Sequence, residues 1–197
     1  MKKVLFIASM FICTMAVGQD FQIGAKAGVN VSNFTGGDFG TIEKEALIGY
    51  HAGAFIRFRF GKLVLQPELL ISTQGATLES AGNSQDYKLT YVNIPIMLQY
   101  ETAGGFYLEA GPQFGAKIDE SVPNTTTEDF AENMDIAICF GLGYHFKFGL
   151  GIGARYNVGV SKVGDFDSGT FDPDFKNGVA QFSLFYTIFN NNKNKNQ

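Results

Sequence analysis

Gly149-Leu-Gly-Ile-Gly-Ala-Arg-Tyr-Asn-Val-Gly-Val-Ser161 alternates at every step. Leu150, Ile152, Ala154, Tyr156, Val158 and Val160 are apolar, and the residues between them are Gly, Arg, Asn or Ser. A strand sends successive side chains to opposite faces, so this stretch has one oily face and one small or polar face. Seven further segments repeat the pattern, at 21–32, 47–60, 63–74, 88–100, 106–117, 134–146 and 178–189. No later segment has a helical period of comparable strength. The fold class is therefore all-β.

The connections alternate as well. Residues 61–62, 102–105 and 147–148 read as tight turns, and residues 33–46, 75–87, 118–133 and 162–177 as long polar loops. Three short and four long connections are what eight antiparallel up-and-down strands require when both chain ends lie on the short-turn side. Outer-membrane barrels combine short periplasmic turns with longer external loops. Segments of about ten residues also suit a tilted strand crossing a bilayer. Phe21, Phe58, Phe60, Tyr100, Phe106, Tyr144, Phe146, Phe148, Tyr186 and Phe189 gather at the short-turn ends, as the girdle at a lipid–water boundary does. Pro67 lacks a backbone donor and predicts a bulge or a weakened pair in the third strand.

The N-terminus reads as an export signal. Lys2 and Lys3 precede an apolar run from Val4 to Val17, and Ala16-Val17-Gly18 is a small-x-small cleavage site. Residues 1–18 are expected to be a signal peptide, 19–189 an outer-membrane β-barrel, and 190–197 a polar C-terminal tail. Met10-Phe11-Ile12 before Cys13 lacks a lipoprotein sequence. Removing the signal leaves Cys139 as the only cysteine, so no internal disulfide framework and no Cys-rich zinc site is expected. The formal charge of −4 becomes about −6 without Lys2 and Lys3, which argues against a nucleic-acid partner. No cofactor is expected.

Which face looks inward separates a membrane barrel from a soluble one. A soluble barrel for an apolar ligand would point the oily set inward and present the other set to water. That other set is rich in glycine and amides and poor in Lys and Glu. It suits a narrow interior better than an aqueous surface. The expected arrangement is a transmembrane barrel with its apolar face on lipid. The interior polar network is then expected to contain Lys26, Arg57, Arg59, Glu68, Glu109, Arg155, Gln113 and Asn157. Buried charges need partners, and Glu68 and Glu109 are the natural ones for Arg57, Arg59 and Arg155. An eight-stranded barrel holds side chains but no wide channel.

Three phrases stand out: Leu65-Gln-Pro-Glu-Leu-Leu-Ile-Ser-Thr-Gln-Gly75, Tyr91-Val-Asn-Ile-Pro-Ile-Met-Leu-Gln-Tyr100 and Tyr107-Leu-Glu-Ala-Gly-Pro-Gln-Phe-Gly115. Gly141-Leu-Gly-Tyr144 and Ala154-Arg-Tyr-Asn-Val-Gly159 follow. Together they resemble the PorT-type outer-membrane β-barrel family of Bacteroidota. The resemblance implies a small outer-membrane barrel and brings no catalytic motif with it. One member of that family serves a secretion system tied to gliding.

Candidate chemistry is sparse. Some small barrels of this compartment modify lipids with a His and a Ser or acid near one rim. His51 and His145 fall near opposite ends and read as satisfied interior histidines. Asp165, Asp167, Asp172 and Asp174 form a loose calcium-loop pattern, but it lacks a closing Glu and reads better as a solvated acidic loop. The glycines at 149, 151 and 153 precede a strand, whereas a nucleotide fingerprint needs a helix. The expected function is a non-enzymatic barrel in the cell outer membrane, a monomer with a plugged interior and long acidic external loops. Its expected partners are outer-membrane lipid or lipopolysaccharide, with protein contacts through the loops. A secretion or gliding component, a narrow transporter, and a soluble barrel for an apolar ligand are the alternatives.

Overall fold

A computed structural model describes residues 20–38, 43–80, 83–121, 134–161 and 172–191. Eight strands follow in chain order: β1 Asp20–Asp38, β2 Glu43–Phe60, β3 Leu63–Ser80, β4 Asn83–Glu101, β5 Phe106–Ser121, β6 Met134–His145, β7 Leu150–Gly159 and β8 Asp172–Asn191. Each pairs antiparallel with its sequence neighbours, and β1 pairs with β8 to close the barrel. The signal-peptide residues lie outside the described part of the chain.

The register fixes the stagger. From Gln22 on β1 the ladder passes through Arg57, Gln66, Met97, Gly111, Cys139, Asn157 and Val179. It returns to β1 at Ser32, ten residues further on. Closure with such a stagger requires the strands to tilt by roughly 35–45° to the barrel axis. The three short turns each place a glycine at positive φ, Gly61 (66°), Gly105 (95°) and Gly149 (96°), where a side chain would be strained.

The oily face points outward. Ile48 is 76 % exposed and Leu69 56 %, whereas Arg57 on the other face is 1 % exposed. This is opposite to a soluble barrel for an apolar ligand. The outward positions of 21–31, 48–60, 63–71, 92–100, 106–116, 134–144, 150–160 and 180–188 carry no formal charge. They form the continuous apolar belt a bilayer requires. Aromatic contacts at the short-turn rim tie its ends together: Phe21 to Phe189 at 5.6 Å, Tyr144 to Phe146 at 4.8 Å and Phe146 to Phe148 at 5.4 Å between ring centroids.

Two expectations need correction, and a third in part. Residues 33–46 and 75–87 are mostly strand rather than long loops, because pairing continues beyond the belt where oily alternation is no longer required. Residues 33–38 stay paired to β8, and β3 and β4 stay paired out to Ser80 and Asn83. At the other end, Asn190 and Asn191 still pair with Gln22 and Phe21, so the last strand reaches into the expected tail. Pro67 sits opposite Ile96 with no register shift in the β3–β4 ladder, so the expected bulge is absent, but on its other side the β2–β3 pairing breaks between Phe55–Glu68 and Phe58–Leu65, as a weakened pair there would.

Candidate functional site: the interior polar network

Inward glycines and inward aromatic rings complement each other. The ring of Phe55 lies where a Cβ at Gly24 would be, that of Phe185 over Gly151, and the phenol of Tyr107 over Gly143 and Gly153. Phe55 and Phe185 meet edge to face at 5.7 Å, and Tyr107 lies 6.2 Å from Phe185. These three rings form a buried apolar cluster beside the polar groups of the lumen, which also encloses Val64, Leu70, Met97 and Val179.

One ionic group contains two cations and two carboxylates. Arg155 Nη2 and Nη1 donate to Glu68 Oε1 and Oε2 at 2.7 and 3.0 Å, and its Nε donates to Glu109 Oε1 at 2.8 Å. Lys26 Nζ donates to Glu68 Oε1 at 2.7 Å. All four side chains are buried. The formal charges balance, which a low-dielectric interior demands. Bidentate guanidinium–carboxylate pairing adds directional strength.

A second group closes the short-turn mouth. Arg57 donates to Glu101, to Gln99 Oε1 at 3.0 Å and to Gln22 Oε1 at 3.2 Å. Arg59 Nη2 donates to the other Glu101 oxygen at 2.7 Å. Arg57 Nη1 also reaches His145 Nδ1, so that nitrogen accepts, and the ring's Nε2 lies 3.3 Å from Thr187 Oγ1. Arg57 and Arg59 therefore find Glu101 rather than the expected Glu68 and Glu109, because the stagger places both arginines at the mouth beside the end of β4. Glu101 lies one residue past the alternating segment 88–100. Its signal was parity: it lies two residues past inward-facing Gln99.

Amides join the two groups. Gln99 Nε2 donates to Glu109 Oε2 at 2.9 Å and Gln66 Oε1 at 3.2 Å, and Gln66 Nε2 donates to Glu68 Oε1 at 2.7 Å. Of the other expected members, Gln113 is buried and accepts a long contact of 4.0 Å from the Cys139 thiol. Asn157 is buried but has no hydrogen-bond partner among the described residues, so it stands outside the network.

His51 belongs to a separate group. Asn30 Nδ2 donates to Tyr50 O and Thr73 O, and its Oδ1 accepts from Gln181. That orientation makes His51 Nδ1 the donor in its 2.7 Å contact with Asn30 Oδ1, leaving Nε2 to accept from Ser183 Oγ at 2.9 Å. Ser183, His51 and Asn30 thus stand in the hydrogen-bond order of nucleophile, base and orienting amide. Asn30 and His51 are fully enclosed, and their contacts lock β1, β2 and β8 to one another.

Asp165 and Asp167 lie outside the described residues, as do the side chains of Asp172 and Asp174 on β8. Among the described residues, no group of three or more His, Cys, Asp or Glu is placed to hold a metal ion.

Solved structures of bacterial proteins are similar to this chain. Neisserial surface protein A is 15 % identical with a TM-score of 0.56, the match covering 84 % of this chain and 97 % of that one. The attachment invasion locus protein Ail of Yersinia pestis is 16 % identical with a TM-score of 0.49, covering 86 % and 99 %. OprG of Pseudomonas aeruginosa is 13 % identical with a TM-score of 0.46, covering 86 % and 97 %. No curated protein matches the sequence. The family model described as "Outer membrane protein beta-barrel domain" matches residues 16–165, most of the chain. This protein belongs to the outer membrane protein beta-barrel domain family.

Proposed function

We propose that this outer-membrane protein is a non-enzymatic, plugged barrel with a structural or interaction role carried by its external end. One observation supports this above the rest: all eight strands send a side chain into the linked interior groups. Lys26, Arg57, Glu68, Glu101, Glu109, His145, Arg155 and Thr187 come from β1, β2, β3, β4, β5, β6, β7 and β8 in turn. A solute on the axis would have to part these pairs, and leaving one buried charge without its partner costs about 3–5 kcal/mol. Enclosure of His51 and Asn30 likewise argues against acyl transfer at Ser183.

The work then falls to the strand ends and loops beyond the belt. Their acidic residues fit contacts with lipopolysaccharide bridged by divalent cations, or with protein partners. The phrases at 65–75, 91–100 and 107–115 support placement among PorT-type barrels of Bacteroidota, and Lys2, Lys3, the apolar run 4–17 and the small-x-small site at 16–18 support export by a signal peptide cleaved after Gly18. Planar-bilayer recording tests the plug. The purified barrel should give no reproducible conductance steps, and protein-dependent steps would overturn the reading. Vesicle phospholipids should release no fatty acid with the wild-type chain, and release abolished by Ser183→Ala would overturn the non-enzymatic part.

A further inference from the structure

The lipid face is not evenly ridged. On β7 the outward residue Ala154 stands between Leu142 on β6 and Phe182 on β8 in the ladder. Its small side chain leaves a trough there. A groove of about 490 Å³ runs from Phe106 and Tyr144 at the rim to Ala154, and a second of about 430 Å³ continues past it to Phe140 and Ala180. Both include Leu142, Ala154 and Phe182.

We infer that this trough is a binding site for one acyl chain of a phospholipid in the periplasmic leaflet, with the phosphate drawn to Lys147. Three features of the trough fit that occupant. Its width is the gap left by one residue between neighbouring strands that stand about 4.8 Å apart, which suits an extended hydrocarbon chain. Its length from Ile152 to Tyr156 is four residues, about 13 Å at 3.3 Å per residue, comparable with half of a hydrocarbon core about 30 Å thick. Its rim end lies below the β6–β7 turn, where Lys147 is exposed and able to meet an anionic headgroup. A second copy of the barrel fits less well. Phe182, Tyr156 and Phe140 stand about half exposed along the trough and would hold another convex wall away from its floor. The inference requires residence in the outer membrane but is independent of whether the lumen conducts.

The test uses the full barrel in phosphatidylethanolamine–phosphatidylglycerol vesicles. A trace of phosphatidylethanolamine carries a photoactivatable diazirine on its acyl chain. After irradiation, labelling should concentrate several-fold on peptides containing residues 140–144, 152–156 and 180–184 over those containing Leu69 and Ile94. Ala154→Phe fills the trough from the lipid side and should bring labelling down to the level of the other faces, with heat-modifiable gel mobility retained. Ala180→Leu gives the same readout at the deeper end should the first variant fold poorly. Lys147→Glu should weaken labelling of the wild-type trough. Uniform labelling around the barrel, labelling indifferent to both fillings, or barrel-to-barrel crosslinks at these residues would overturn the inference.

Discussion

Arg155 grips both oxygens of Glu68, at 2.7 and 3.0 Å, across a lumen in which neither side chain reaches solvent. Glu68 is also the only acid that Lys26 contacts in the hydrogen-bond and ion-pair geometry described above. Glu68→Gln therefore leaves two buried cations facing Glu109 alone. We expect it to lower the unfolding free energy by about 3–5 kcal/mol, read from urea titration in lipid vesicles by the shift between folded and unfolded gel mobilities. Adding Lys26→Met should recover part of the loss by removing the stranded ammonium. A cost no larger than that of Lys62→Gln, an exposed change, would sink the assignment of this pair as the central strut.

At the mouth the two arginines differ. Arg57 is enclosed, whereas the Arg59 side chain is 25 % exposed, and both use Glu101. Glu101→Gln should cost about 3–5 kcal/mol because it strands the buried Arg57. Arg59→Gln should cost about 1 kcal/mol or less, as partly solvated pairs do. The same urea titration ranks them, and equal losses would show that burial does not separate the two.

The residues on lipid were legible because facing lipid is decided residue by residue: parity alone assigns Leu69, Ile94 or Phe182. Pairing inside was not. Whether Arg57 meets Glu68 or Glu101 depends on a stagger of ten residues, set by turns and closure, which no single strand displays. Strand lengths beyond the belt were hidden for a related reason. Past Ser32 and Gln74 there is no lipid to impose an oily alternation, so paired strand looks like polar loop. Phe55, Tyr107 and Phe185 depart from the polar inward pattern, and the opposing glycines make room for their rings.

Gly28 separates His51 from Ser183. It faces both residues in the ladder, and a Cβ there would lie 2.7 Å from His51 Cε1 and against the carbonyl of Phe182. Gly28→Ala should therefore destabilise by about 1–3 kcal/mol through overpacking. Gly104→Ala is the control, because the nearest atom to its Cβ is Thr102 Oγ1 at 3.9 Å in an exposed turn. Chemical-shift perturbation of the His51 ring in the first variant, absent in the second, would locate the strain. A silent Gly28→Ala would contradict the close passage of the imidazole over β1.

The strongest check on the orientation of the wall is a charge placed on its outside. Leu69 is 56 % exposed, yet it stands in the apolar belt with Ala54 opposite it on β2. In water an exposed Leu→Arg change is close to neutral, since surface substitutions stay within about 0.5 kcal/mol. On a lipid face it drags a guanidinium into hydrocarbon, at about 2–4 kcal/mol near the midplane. Thr35→Arg is also exposed but lies beyond the belt, on the segment of β1 that pairs with β8 past Ser32, and should cost little. Leu69→Arg should therefore lower stability in vesicles far more than Thr35→Arg. The gap should widen as the charge moves toward the middle of a strand. Equal and small effects at both positions would mean that the oily face meets water.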